Sequence, residues 1–290
     1  MIVVPLEGRT LAKATCLGHD VIIVPDLHDE VRLTDKEVAT VCDRHAGIGA
    51  TSIVRVLRAN ADSGAEYRCE EQTAPGHVPS TLSLRAAAHY LSISGLADIV
   101  PGQPYLLATP AGEVAVTKTG GGYAMSEVAP ALVNPAEASE RGYDTAVSIG
   151  EVEGTRGGLT VTGEGDHVVV ALATPDELAA ARPEVTATDP VRSAQVVLVE
   201  PRGEDVFTDI DGVERAVSTC AVRMTYLTTP GLTAAALAML AWAGEGGSQI
   251  ARIDTGWGTG EVRLYETDAE VTAPAEVVAE FQLTGIAGEG

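Results

Sequence analysis

Lysine is almost missing from this chain, which carries only Lys13, Lys36 and Lys118. With 19 Lys and Arg set against 41 Asp and Glu, the formal charge is −22. A phosphate backbone is gripped by clustered Lys and Arg, so nucleic acid is not an expected partner, and neither is an anionic membrane. Paired cysteines are missing too. Cys16, Cys42, Cys69 and Cys220 stand singly, without the CxxC spacing of a zinc or redox site, and read as buried thiols. No run approaches the roughly 20 apolar residues of a membrane helix; the longest, Leu232 to Ala243, is far shorter. Met1-Ile2-Val3-Val4-Pro5 has no basic region ahead of an apolar run, so no secretion signal is read and the cytoplasm is the default. P-loop, GxGxxG and HExxH strings are absent, and the expectation names no cofactor and no metal.

What is present is enough to build cores. A hydrophobic content of 45% excludes disorder, and 290 residues at roughly 100 to 200 per domain suggest two domains. β-branched runs bounded by Gly, Pro and Asp predict strands at Val21 to Val24, Ser52 to Val56, Val114 to Val116, His167 to Leu172, Gln195 to Val199 and Glu261 to Tyr265. Thr81 to Leu91 and Gly231 to Ala243 predict helices that are Ala-rich, nearly uncharged and preceded by a hydroxyl residue able to cap them. A helix apolar on almost every face must be buried on almost every face. Shorter amphipathic helices fit Thr34 to Arg44 and Pro175 to Arg182. The predicted architecture is therefore α+β: two pseudo-symmetric domains, each a strand-rich barrel around one buried central helix. Their expected bounds are 1–135, joined by a C-terminal strand over 278–290, and 136–277, with the crossover near Val133 to Gly142.

Cys42 to Ala50 reads CDRHAGIGA, and five further segments follow in matching order and spacing. Lys13 to Asp20 reads KATCLGHD, Ser80 to Leu91 reads STLSLRAAAHYL and Thr109 to Gly112 reads TPAG. Thr228 to Ala236 reads TTPGLTAAA, and Thr272 to Glu276 reads TAPAE. Together these resemble the diaminopimelate epimerase family, whose signatures include CDRHFGIGAD, CGNGxRCxARYL and CGTGACAAA. The resemblance implies a cofactor-free isomerase fold shared with proline racemases, methylitaconate-type isomerases and phenazine-pathway isomerases. It also implies that the N-termini of two central helices face one cleft, where free N–H groups and positive dipole ends suit a carboxylate or an enolate-like intermediate.

The departures fall on the chemistry. Family members carry one cysteine at each helix start, one thiolate taking the α-proton and the opposing thiol returning one. Those positions are Ser80 and Thr228 here, and a hydroxyl cannot be ionised as a thiol of pKa ~8.5 can. Family asparagines correspond to His19, Glu71 and Gln195; Leu82 replaces another, Thr51 replaces the Asp of GIGAD, and Thr219-Cys220 replaces a Glu-Arg pair. Candidate acid–base and catalytic residues are thus His19, Glu71, His77, Ser80 and Thr228, with Glu70 behind them. Candidate substrate-binding residues are Thr81, His167, Gln195, Thr229 and Gly231. Ser80 and Thr228 have a competing reading as helix caps, and the glutamates as solvated charges. His45 and His89 read as structural.

The function expected is a cofactor-independent isomerase (epimerase, double-bond isomerase or cyclase) acting on an activated small molecule in the biosynthetic reactions of specialised metabolism, and not a thiol-based diaminopimelate epimerase. A more acidic substrate proton needs a weaker base than a thiolate, so His or Glu suffices. The alternatives are a lyase or dehydratase on the same scaffold, and a noncatalytic binding protein. Converging polar groups at the helix starts favour an enzyme, while apolar filling favours the binding protein. The expected partner is a small molecule, and a homodimer is compatible with the sequence.

Overall fold

The computed structural model describes residues 5–149, 154–181, 185–186, 194–208 and 214–283. The readings made on Met1 to Val4, on Arg182 and on 284–290 lie outside the described residues. By its internal packing the chain divides into one unit of residues 1–125 with 273–290 and a second of residues 126–272.

The first unit begins with β1 (Thr10–Cys16), β2 (His19–Pro25), α1 (Asp35–Cys42), β3 (Ser52–Arg58), β4 (Tyr67–Thr73) and α2 (Thr81–Ile93). It continues through β5 (Pro104–Thr109) and β6 (Gly112–Thr119), and β7 (Gly122–Val128) leads out of it. The second unit holds β8 (Ala131–Leu132), α3 (Pro135–Arg141), β9 (Thr145–Ile149), β10 (Thr155–Gly163), β11 (Gly165–Ala171), α4 (Pro175–Ala180) and β12 (Val185–Thr186). It goes on through β13 (Gln195–Thr208), β14 (Glu214–Met224), α5 (Thr229–Ala243), β15 (Ile250–Asp254), β16 (Thr259–Leu264) and β17 (Asp268–Ala273). β18 (Ala275–Gln282) returns to the first unit and pairs antiparallel with β1.

The two units repeat one order of strand pairing. In the first, β1–β2 is antiparallel, β2–β3 parallel, β3–β4 antiparallel, β4–β5 parallel and β5–β6 antiparallel. In the second, β10–β11, β11–β13, β13–β14, β14–β15 and β15–β16 run through the same alternation. Each parallel step needs a crossover, and each is supplied by a helix: α1 and α2 in the first unit, α4 and α5 in the second. The long helices fill the middle. α2 packs on β1, β2, β3, β4 and β18, and α5 on β8, β10, β11, β13, β14, β15 and β16.

Composition explains why these helices can lie there. α2 buries Leu82, Ser83, Arg85, Ala86, Ala87, Ala88, Tyr90 and Leu91, and α5 buries nearly its whole Ala-rich first half. Small side chains let the surrounding strands approach the helix closely at interior packing density. Both helices start on an extended hydroxyl residue, Ser80 (φ −143°, ψ 139°) and Thr228 (φ −133°, ψ 150°). The Ser80 side chain accepts the Leu82 N–H at 3.2 Å, and Thr228 Oγ1 accepts the Gly231 N–H at 3.2 Å. No helix among the described residues is long and apolar enough to cross a membrane.

Candidate active site

The first helix start gathers polar side chains from three strands. β2 opens with His19, β3 with Ser52, and β4 carries Glu71, while Ser83 stands in the first turn of α2. Parallel pairing of β2 with β3 and antiparallel pairing of β3 with β4 brings these strand positions under one helix end. His19 Nε2 lies 2.9 Å from Ser83 Oγ, and Ser83 Oγ donates to Glu71 Oε1 at 2.5 Å. Ser52 Oγ lies 3.3 Å from Ser83 Oγ. The direct distance between His19 Nε2 and Glu71 Oε1 is 3.7 Å, beyond hydrogen-bond range, so the serine is the bridge. Glu71 also accepts the Ser80 backbone N–H through Oε2 at 3.1 Å. The imidazole and the carboxylate are deeply buried, 7% and 11% exposed.

Around this cluster the other expected residues take definite places. Thr81 Oγ1 accepts from the fully buried Arg85 guanidinium at 2.7 Å, and Arg85 Nε donates to the Tyr123 carbonyl at 3.1 Å. His77 sits in the turn ahead of α2, its N–H on the Ala74 carbonyl at 3.1 Å. Burial, and then the nearby His19 and Arg44, hold His77 below the ordinary imidazole value. Glu70 faces away into a different network, paired with Arg55 at 2.8 Å and Arg68 at 2.8 Å.

The second helix start is built differently. Thr228 Oγ1 donates to Gln195 Oε1 at 3.0 Å while accepting from Gly231, and the Gln195 amide donates to the Tyr226 carbonyl. His167 stands beside Gln195 in the β11–β13 register and is hydrogen-bonded to it. Burial keeps that imidazole below its ordinary value in spite of this bond. Thr229 Oγ1 donates to the buried Glu127 at 3.2 Å. A Cβ at Gly231 would lie 2.7 Å from Met224 Sδ, so a larger residue there requires the methionine side chain to shift.

The chain resembles diaminopimelate epimerases along nearly its whole length. It is 29% identical over 290 residues to the diaminopimelate epimerase of Mycolicibacterium smegmatis, spanning 94% of this chain and 96% of that one. The same enzyme of a Mycobacterium species, strain KMS, is 28% identical over 296 residues, again 94% and 96% of the two chains. No family model matches. Among solved structures, a Bacillus anthracis phenazine biosynthesis protein superposes with a TM-score of 0.62 at 15% identity, over 94% of this chain and 98% of that chain. A hydroxyproline epimerase of Agrobacterium vitis superposes with a TM-score of 0.51 at 15% identity, over 95% and 93%. These two show the shared fold. Against the epimerase pattern, both cysteine positions carry hydroxyls, Ser80 and Thr228.

Three participants were not anticipated from sequence: Ser83, Ser52 and Glu127. A signal for Ser83 existed. STLS aligned on CGNG puts Ser83 at the motif's second glycine, whereas TTPG keeps glycine at the matching Gly231. Both fall three residues after their caps, so only α2 has a hydroxyl at that place in its first turn. Ser52 was read only as part of a strand, and nothing in the local pattern marked Glu127. Among the described residues no group of three or more His, Cys, Asp or Glu is arranged to hold a metal ion.

Proposed function

We propose that this chain is a cofactor-independent isomerase that moves a proton on an activated small molecule, with His19 and Glu71 in place of the thiols of its epimerase relatives. The observation that carries this reading is the buried His19–Ser83–Glu71 cluster at the α2 start. An imidazole is the side chain best matched to proton transfer near neutral pH, and a buried carboxylate beside it stabilises the imidazolium once formed. The start of α2 presents backbone N–H groups and the positive dipole end to a developing enolate-like charge. Ser80 caps the helix, and Thr228, engaged with Gln195 and Gly231, shapes the second helix start for binding. Converging polar groups favour an enzyme over a binding protein whose inherited site has filled with apolar side chains.

The test is hydrogen exchange in D2O followed by proton NMR. Small carboxylic acids with a double bond or carbonyl next to the acidic C–H should exchange in the presence of the protein, and diaminopimelate should not exchange at its α-carbon. General acid–base help is typically worth 10² to 10⁴ in rate, so His19→Ala should lower exchange by about that range. Undiminished exchange in folded His19→Ala, or rapid α-exchange of diaminopimelate, would refute the reading.

A further inference from the structure

We propose that Nδ1 of His19 is the atom that exchanges the proton with substrate, and that Ser83, backed by Glu71, is the positioning residue that keeps the hydrogen on Nε2. This deepens the reading of His19 as the acid–base group and depends on it.

The hydrogen count at Ser83 carries the argument. A serine hydroxyl has one hydrogen to give and two lone pairs to receive with. At 2.5 Å from Glu71 Oε1, that hydrogen belongs on the carboxylate. The oxygen facing His19 Nε2 at 2.9 Å is then an acceptor, which requires Nε2 to carry a hydrogen. Ser52, 3.3 Å away, addresses the remaining lone pair. With Nε2–H fixed, the neutral ring keeps its basic lone pair on Nδ1, and within the described residues Nδ1 makes no hydrogen bond. An imidazole whose Nε2 is pinned by a hydroxyl backed by a carboxylate, and whose Nδ1 has no hydrogen-bond partner among the described residues, is arranged to accept a proton on Nδ1. The side chain is only 7% exposed, so its orientation is set by this chain of contacts rather than by solvent.

The step balances without a co-reactant. The C–H bond of the substrate breaks, its electron pair passes into the adjacent carbonyl or double bond, and the proton forms the Nδ1–H bond. The imidazolium then carries a hydrogen on each nitrogen, and its charge is met by Glu71 through Ser83 across a 3.7 Å nitrogen–oxygen separation. Returning the Nδ1 proton to a conjugated carbon completes a double-bond shift, and returning it to the original carbon gives hydrogen exchange without isomerisation. No proton has to leave Nε2, so Ser83 orients and does not itself react.

The first readout is the tautomer itself, measured without ligand; the second is the D2O exchange of the small carboxylic acids described above. In protein labelled with 15N-histidine, two-dimensional NMR of the neutral ring should show a protonated Nε2 and an unprotonated Nδ1. Ser83→Ala should convert that signal to a tautomer mixture and slow the D2O exchange reaction at least tenfold, with KM changed less than twofold. Glu71→Gln keeps an oxygen for Ser83 to address, so it should keep the Nε2–H tautomer. A His19 that carries its hydrogen on Nδ1 in the wild type overturns the proposal, as does an unmixed Nε2–H signal in folded Ser83→Ala. If the tautomer is as stated but His19→Ala keeps full exchange activity, the functional reading fails and the orientation of the ring stands.

Discussion

Burial pushes the thiols of Cys16, Cys42, Cys69 and Cys220 up to about 12, so none is a thiolate at neutral pH. Single spacing in the sequence already pointed to buried thiols, because a cysteine outside a paired motif behaves as a small hydrophobe. The expected outcome is that Ellman's reagent at pH 8 reacts negligibly with the native protein and with four thiols after denaturation. Prompt labelling of any native thiol would mean an open environment at that residue. His19 and Glu71 were legible for another reason: each replaces an asparagine of the resembled family, so a titratable group stands where an amide is expected. Ser83 was not singled out, since a serine inside an Ala-rich helix looks like any small residue until its neighbours from β2, β3 and β4 are known.

At the level of elements, the CDRHAGIGA signature is the C-terminal cap of α1. Asp43 Oδ1 accepts the N–H groups of His45 and Ala46, both at 2.7 Å, and the Gly47 N–H reaches the Asp43 carbonyl at 3.0 Å. Ile48 and Ala50 then donate to the carbonyls of Val41 and Cys42, satisfying the last turn of the helix. Lys13 Nζ ties the turn down by donating to the Gly49 carbonyl at 2.9 Å. A Cβ on Gly47 would run into the Thr40 and Val41 carbonyl oxygens, and those are backbone atoms that cannot swing aside. Gly47→Ala should therefore destabilise the protein by about 1 to 3 kcal/mol, measured by urea denaturation. An unchanged midpoint would mean that the turn has freedom to move. Strand prediction succeeded where β-branched runs are buried on both faces, as in β2, β3 and β11. Strands outside those runs went unread, among them β4 (YRCEEQT), whose charged second half leaves little periodic signal, and β17 (DAEVTA), which alternates polar with buried residues but is only six residues long and built partly of alanine. α3 was read only as a crossover segment, because a seven-residue helix with one buried alanine has almost no apolar face to detect.

Over the whole molecule, the two Ala-rich helices made a paired architecture legible, but the repeated order of strand pairings was not. Pairing partners such as β4 with β5 are separated by the entire α2 crossover, and no local pattern encodes which strands meet across it. The same scale governs the response to acid. His77, His89 and His167 are each held below the ordinary imidazole value, in each case by burial first. In the unfolded chain they take up protons near pH 6.5, whereas the folded protein resists doing so. The unfolded state thus binds more protons below that pH, and stability must fall as the solution is acidified from 7 toward 5. The overall charge pushes the other way: at −22 and a pI near 4.5, self-repulsion relaxes on acidification. Salt separates the two effects. At 0.15 M the Debye length is about 8 Å, which screens repulsion across the surface but acts much less on the desolvation of the buried His167 and the half-buried His77 and His89. Urea midpoints taken at pH 7, 6 and 5 in 0.15 M salt should therefore decline steadily, and at low ionic strength the decline should be shallower. A midpoint that rises toward pH 5 in 0.15 M salt would show that the net charge, and not the desolvated histidines, controls the acid response of this fold.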